Sequence, residues 1–322
     1  MPCQQPFQAG PRLQRRPAFL SPHFALWALL LFLTAGPLGW AEDGEDEPAE
    51  EQRRRDFTAD DLTEEQWASL IQPPADRPTH LKPGERLVYE IGWGWIHVGE
   101  ATLSLQEDTI EGQEVLRMQL EARTNSFADT FYKVRNTTRS WFDPGVAQVL
   151  HYEASQREGD REREVVVEFE NSPHTVRYEN RLNGDSREAI PVPAGTWDPM
   201  SITYFVRSLP LAVGDEMIIP TTNGKKLYLT RVEVKKRERK NFKSGKRDAF
   251  LIEPDIEDLG GVFRKSKNAA VRFWFSADDL HLPLRMESEV AVGKFWAELV
   301  RIEPIPETVE TAEDTSATVS PR

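Results

Sequence analysis

Bulky and polar positions alternate with a period of two over most of the chain from residue 79 to 304. Leu87, Tyr89, Ile91, Trp93, Trp95 and His97 alternate with Val88, Glu90, Gly92, Gly94, Ile96 and Val98. Ala101, Leu103 and Leu105 alternate with Thr102, Ser104 and Gln106, and Arg163, Val165, Val167 and Phe169 with Glu164, Val166, Glu168 and Glu170. This is the signature of half-buried strands. Gly92 and Gly94 imply either a strongly bent strand or close backbone packing. The pairs Glu111-Gly112, Asn183-Gly184, Asn223-Gly224 and Ser244-Gly245 are hairpin signals. The expected class is all-β, built from antiparallel curved sheets of half-barrel type.

One stretch has helical spacing instead. Asp198 stands as N-cap and Pro199 as first helical residue, followed by an apolar face of Ile202, Phe205, Val206 and Leu209, with Pro210 as the stop. A lone amphipathic helix among strands must dock on a sheet. The segments flanking it look alike. Gly84-Glu85 matches Gly214-Asp215 (214 − 84 = 130), Phe131 to Asn136 matches Phe263 to Asn268 (263 − 131 = 132), and Arg139-Ser-Trp-Phe matches Arg272-Phe-Trp-Phe (272 − 139 = 133). Three matches in one order predict two similar β modules, 79–190 and 211–304, linked by the helix segment 191–210.

Residues 1–41 have the order of an export signal. Arg12, Arg15 and Arg16 precede the apolar run Phe24 to Leu33, and Gly39-Trp40-Ala41 is a small-x-small cleavage site. The alternative is a retained anchor, for which the run has about half of the roughly 20 residues a spanning helix needs. Residues 42–78 form an acidic tether containing a short helix around Thr58 to Gln72, and 305–322 a polar tail.

The 322 residues carry 40 Lys+Arg and 53 Asp+Glu, a net charge of −13. Removal of residues 1–41 would take this to −13 − 3 = −16. Such a chain is a poor nucleic-acid binder. Its one cysteine, Cys3, lies in the signal, so no disulfide or thiol chemistry is expected after cleavage. The other histidines beyond the signal, His80, His97, His151, His174 and His281, have no metal-ligand spacing. No G-x-S-x-G elbow, phosphate loop or H-E-x-x-H is present. No cofactor, metal site or catalytic residue is therefore assigned, although a carboxylate pair for hydrolysis stays open.

Two features exceed this background. The aromatic set Trp93, Trp95, Trp141, Phe205 and Trp274, with Trp296 beside it, is either core or the lining of a concave apolar face. Lys235, Lys236, Arg239 and Lys240 lead a basic cluster from Lys225 to Arg247, extended by Arg264, Lys265 and Lys267. It is either a solvated hairpin or a contact for an anionic envelope surface.

The ordered motifs Pro83-Gly84-Glu85, Val98-Gly99-Glu100-Ala101, Tyr204-Phe205-Val206-Arg207 and Val213-Gly214-Asp215 resemble those of a bacterial exported family, domain of unknown function 3108. The resemblance implies a structural type and no reaction. Phe273 to Asp278 followed by Leu282-Pro283-Leu284-Arg285-Met286-Glu287 is similar to a hairpin of periplasmic lipoprotein carriers. That similarity implies an open half-barrel with helices in its mouth that binds acyl chains. The expected function is a non-enzymatic envelope protein with a lipid or acyl ligand. The alternative is an envelope scaffold that binds a protein or an anionic polymer. The sequence sets no oligomeric state.

Overall fold

The computed structural model describes residues 59–71, 81–255, 270–290 and 293–304. The predicted export signal, most of the predicted tether and tail, and the second copy of the Phe263 to Asn268 match, with Arg264, Lys265 and Lys267, lie outside them. A 3-10 turn, Ala59–Asp61, and α1, Glu64–Ser69, come first, and Thr63 and Gln66 close a capping box on α1. The strands β1 (Glu85–Trp93), β2 (Ile96–Ile110) and β3 (Gln113–Thr124) follow. After α2 (Ser126–Asp129) come β4 (Val134–Phe142), β5 (Val149–Glu158), β6 (Arg161–Asn171), β7 (His174–Asn180), β8 (Asp185–Ser186) and β9 (Ile190–Pro191). Then α3 (Ile202–Arg207) precedes β10 (Glu216–Thr222), β11 (Leu227–Phe242), β12 (Gly245–Pro254), β13 (Ala270–Ser276), β14 (Pro283–Val290) and β15 (Gly293–Pro304).

The chain is all-β apart from these short helices, and its strands form one large curved open antiparallel sheet. Its order is β10-β11-β12-β13-β14-β15-β1-β2-β3-β4-β5-β6-β7-β8, with β9 on β7. Each half is a meander, as the hairpin signals predict. What the repeat did not predict is the join: β15 pairs with β1 from Glu85↔Pro304 to Trp93↔Phe295, so the halves share a single sheet.

The glycine-bearing stretch near residue 94 is a hairpin, not one bent strand. Gly94 takes a positive φ of 58° in the β1–β2 turn. At Gly92 the reason is close packing, because an added Cβ would stand 2.1 Å from the Trp296 ring.

The halves repeat several local constructions. Gly84 and Gly214 have φ of 92° and 93°, and their amides donate to Leu105 and Val234 on the next strand, at 2.8 and 2.9 Å. Trp141 lies on the fourth strand of its meander and Trp274 on the fourth of the other. Each strand has a register shift directly after its Trp. The Trp141 indole donates to Asp108 on β2, and the Trp274 indole to Glu238 on β11.

The two open edges, β10 and β8/β9, approach each other and are bridged by non-strand segments. Leu70 and Trp197 each make a parallel bridge to β10, at Ile218 and Thr221. The 3-10 turn at the start of the same N-terminal segment packs against β9. Lys225 in the β10–β11 turn pairs with Asp185 of β8 at 3.1 Å.

The helix α3 plugs the concave side. The predicted start at Pro199 is a turn whose amides at Met200 and Ser201 donate to the Asp198 carboxylate, at 2.8 and 3.0 Å. Ile202, Phe205 and Leu209 are buried as the spacing requires. Phe205 is 1% exposed and stacks on Trp197 with centroids 4.7 Å apart. Phe205→Ala should therefore cost about 3–5 kcal/mol, read as a lowered midpoint in urea unfolding. A cost below 1 kcal/mol would show that Phe205 is not core.

Candidate functional site

Between α3 and the sheet lies a cavity of about 130 Å³. Pro199, Met200, Ile202, Thr203 and Val206 form its helical wall. Tyr89, Leu103 and Leu120 line it from β1–β3, and Val232, Ile252, Phe273, Phe275 and Met286 from β11–β14. No carboxylate is among its lining residues, and Arg285 at its margin is held by Glu287 and Glu298. Two halves of the sheet thus face one apolar space, which only the β1–β15 join allows.

A buried polar clamp fixes the helix over this space. Arg207, with no exposed side-chain surface, pairs with Glu85 at the start of β1, using both guanidinium Nη atoms. Tyr204 donates to the same carboxylate at 3.1 Å, and its ring lies 4.8 Å under the guanidinium. The Arg207 Nε donates to the Leu280 carbonyl, and His281 Nδ1 contacts the Arg207 carbonyl at 3.1 Å. Burial works against the Arg207 charge, but Tyr204, Glu85 and Tyr89 outweigh it and hold its pKa above the ordinary value. Tyr89 completes the clamp by donating to the Pro283 carbonyl at 2.8 Å.

At the other end of the helical segment, the fully buried Asp198 accepts from the Ser140 and Ser201 hydroxyls as well as the two amides. Burial pushes its carboxyl above the ordinary range, and these hydrogen bonds offset part of that rise. Two serines around a carboxylate are an anchor here.

The five aromatics singled out in the sequence do not line the cavity. Phe205 points to Trp197 in the core. Trp93 is half-buried and stacks on Phe295, with centroids 6.1 Å apart. Trp95 is 92% exposed at the β1–β2 turn. Trp141 shares the half-buried face of β4 with Arg139 and meets Asp108 and His151 there, and Trp274, though buried, lies on the outer face because its neighbours Phe273 and Phe275 face inward to the cavity. A count of aromatics cannot give this parity, whereas the register of β13 against β12 and β14 does.

The basic cluster is folded back on the outer face rather than left as a free hairpin. Lys240 lies 3.9 Å over the Trp274 ring, and Lys243 lies 5.0 Å over Trp296 and pairs with Glu90. Lys235 pairs with Glu233, Lys236 with Glu238 at 2.9 Å, and Arg239 with Asp248 at 3.7 Å. Charge that looks segregated along the sequence is interleaved with acids in space. Among the described residues, no group of three or more His, Cys, Asp or Glu side chains is placed to hold a metal ion.

The profile of the family "Protein of unknown function (DUF3108)" matches residues 88–300. The chain belongs to the DUF3108 family. Its structure is similar to a β-barrel-like protein of domain of unknown function 1849 from Brucella abortus, at 9% identity and a TM-score of 0.46, over 68% of this chain and 97% of that one. It is also similar to a hypothetical protein from Chlamydia trachomatis, at 7% identity and a TM-score of 0.28, over 70% and 88% of the two chains. No curated protein matches it.

Two variants test this DUF3108 site. Arg207→Met leaves the Glu85 carboxylate buried without its cation and should cost about 3–5 kcal/mol in urea unfolding. A cost under 1 kcal/mol would mean that the clamp does not hold the helix. Asp198 has a native pKa above its unfolded one, so the native state holds the proton more tightly. Its contribution to stability falls as pH rises from the ordinary carboxylate range through the native value. Asp198→Asn removes that slope, so the stability difference between wild type and variant should shrink on going from pH 4 upward. A difference constant with pH would contradict the buried, protonation-sensitive carboxyl.

Proposed function

We propose that this protein is a non-enzymatic component of the cell envelope that holds an apolar ligand, one acyl chain or a ring of similar girth, between α3 and the concave sheet. The apolar cavity beneath the helix carries this reading. Its volume is close to the roughly 150 Å³ of an apolar cavity that stays dry and admits benzene. That size suits a ring or the end of a single alkyl chain rather than a whole lipid. The absence of carboxylates among the lining residues argues for binding over hydrolysis. Placement in the envelope rests on the basic, apolar and small-residue order of residues 1–41.

The test fills the space from the sheet side. Ala297 is buried and lines the cavity. Ala297→Leu should abolish binding of a fluorescent fatty acid while keeping or raising the thermal midpoint, as cavity-filling changes do. Native mass spectrometry of wild type purified from its own envelope should find an apolar adduct that the variant lacks. If wild type carries no adduct and binds no alkyl probe, the space is a packing defect and the reading fails.

A further inference from the structure

In an antiparallel meander, alternate connections gather at the same end of the sheet. One such end holds the β1–β2 turn, the α2 connection, the β5–β6 turn and the β7–β8 turn. Most of the large exposed apolar side chains among the described residues are in these connections: Trp95 at 92%, Phe127 at 56%, Phe131 at 53% and Leu182 at 52%. The first three of these connections are tied to one another. Asn125, which caps α2, donates its amide side chain to the His97 carbonyl at 2.9 Å, and its backbone amide to Val98 at 2.9 Å. The Gly159 amide of the β5–β6 turn donates to the Lys133 carbonyl at 2.8 Å, and Tyr132 donates to the Glu158 carbonyl at 3.0 Å. Phe127 and Phe131 pack edge to face, with centroids 5.5 Å apart. The aromatics are therefore presented on a braced rim.

The two ends differ in charge. The fully described connections at the aromatic end, including the β10–β11 turn, carry Lys133, Arg181, Lys225 and Lys226 against Asp129 and Asp160. Asp129 is itself paired with Arg135 at 2.6 Å and Lys225 with Asp185 of β8 at 3.1 Å, which leaves Lys133, Arg181 and Lys226 against Asp160. The connections at the opposite end carry Glu111, Asp143, Asp278 and Asp279 against Lys243. A net positive, aromatic-studded end on a chain of −13 matches the chemistry of an anionic bilayer surface. Trp and Phe settle at the headgroup boundary and Lys and Arg meet the lipid phosphates.

We propose that this end of the sheet docks on an anionic lipid bilayer, with Trp95, Phe127 and Phe131 entering the headgroup region. This surface is separate from the basic β11–β12 hairpin, and it does not depend on what the cavity holds. The test uses the full chain with Cys3→Ser as background, carrying an environment-sensitive fluorophore at Phe127→Cys or at Glu114→Cys on the opposite end. Vesicles of phosphatidylglycerol and phosphatidylethanolamine should shift the emission to the blue at position 127 and leave position 114 unchanged. Lys133→Glu with Arg181→Glu should weaken that response at least about tenfold at low salt. Trp95→Ser with Phe131→Ser, both exposed and so compatible with folding, should abolish it. Reversal of Lys235, Lys236 and Arg239 to Glu should leave it intact. No shift at position 127, equal shifts at both positions, or loss only on reversal of the hairpin would overturn the proposal. So would a vesicle-independent shift that follows protein concentration, which would assign the aromatics to contact between copies of the chain.

Discussion

The hydrogen-bonded ladder between β1 and β15 makes one structure out of two meanders. Without it, each half would expose a long edge and half of a concave surface. With it, the first strand of the chain sits in the middle of the sheet and the last strand beside it. A right-handed twist accumulated over this many strands curls the sheet until its two edges face each other. The edges do not pair as strands. Leu70, Trp197 and the Lys225–Asp185 contact bridge them instead, which protects the backbone groups of β10 from pairing with other chains.

A curled sheet has a concave side that must be filled, and α3 fills it incompletely. One side of the helical segment is core, where Phe205 and Trp197 stack on each other. The side formed by Pro199, Met200, Ile202 and Val206 meets a space instead. What keeps the helix from collapsing into that space is polar. The Arg207–Glu85 pair and the Asp198 cluster fix both ends of the segment, each with its hydrogen-bonding groups directed at named partners. A buried ion pair is weak evidence for stability but strong evidence for position, because removal of either partner strands a charge. The cavity follows from this geometry: a short helix held at two ends spans a sheet wider than itself.

On the outer face the same sheet performs a different task. Trp274 and Trp296 lie under Lys240 and Lys243, where cation–π attraction and cross-strand acids hold the long β11–β12 hairpin down. Exposed ion pairs contribute little individually. Here they spread charge evenly over a broad surface. The uneven charge is at the ends of the sheet, in the turns, and the exposed aromatics are there too.

The sequence alone determined what depends on neighbours along the chain. Period-two alternation marked the strands, Gly-containing pairs the hairpins, and Asp198-Pro199 with an apolar face the helical segment that docks on the sheet. Matching turns at Gly84 and Gly214 were legible because positive φ demands glycine locally. The family was legible for the same reason. Tertiary structure decided everything that depends on register or on distant partners. Glu85 and Arg207 are 122 residues apart, and nothing in either segment announces the other. Trp274 and Phe273 are equally aromatic, and only the pairing of β13 with its neighbours sends one outward and the other into the cavity. The basic run is interleaved both with acids of its own strand, Glu233 and Glu238, and with Asp248 and Glu90 from other strands, and only the latter are out of reach of local sequence. Local propensity specifies elements; which face an element shows, and what stands across from it, is set by hydrogen bonds to residues the local sequence does not contain.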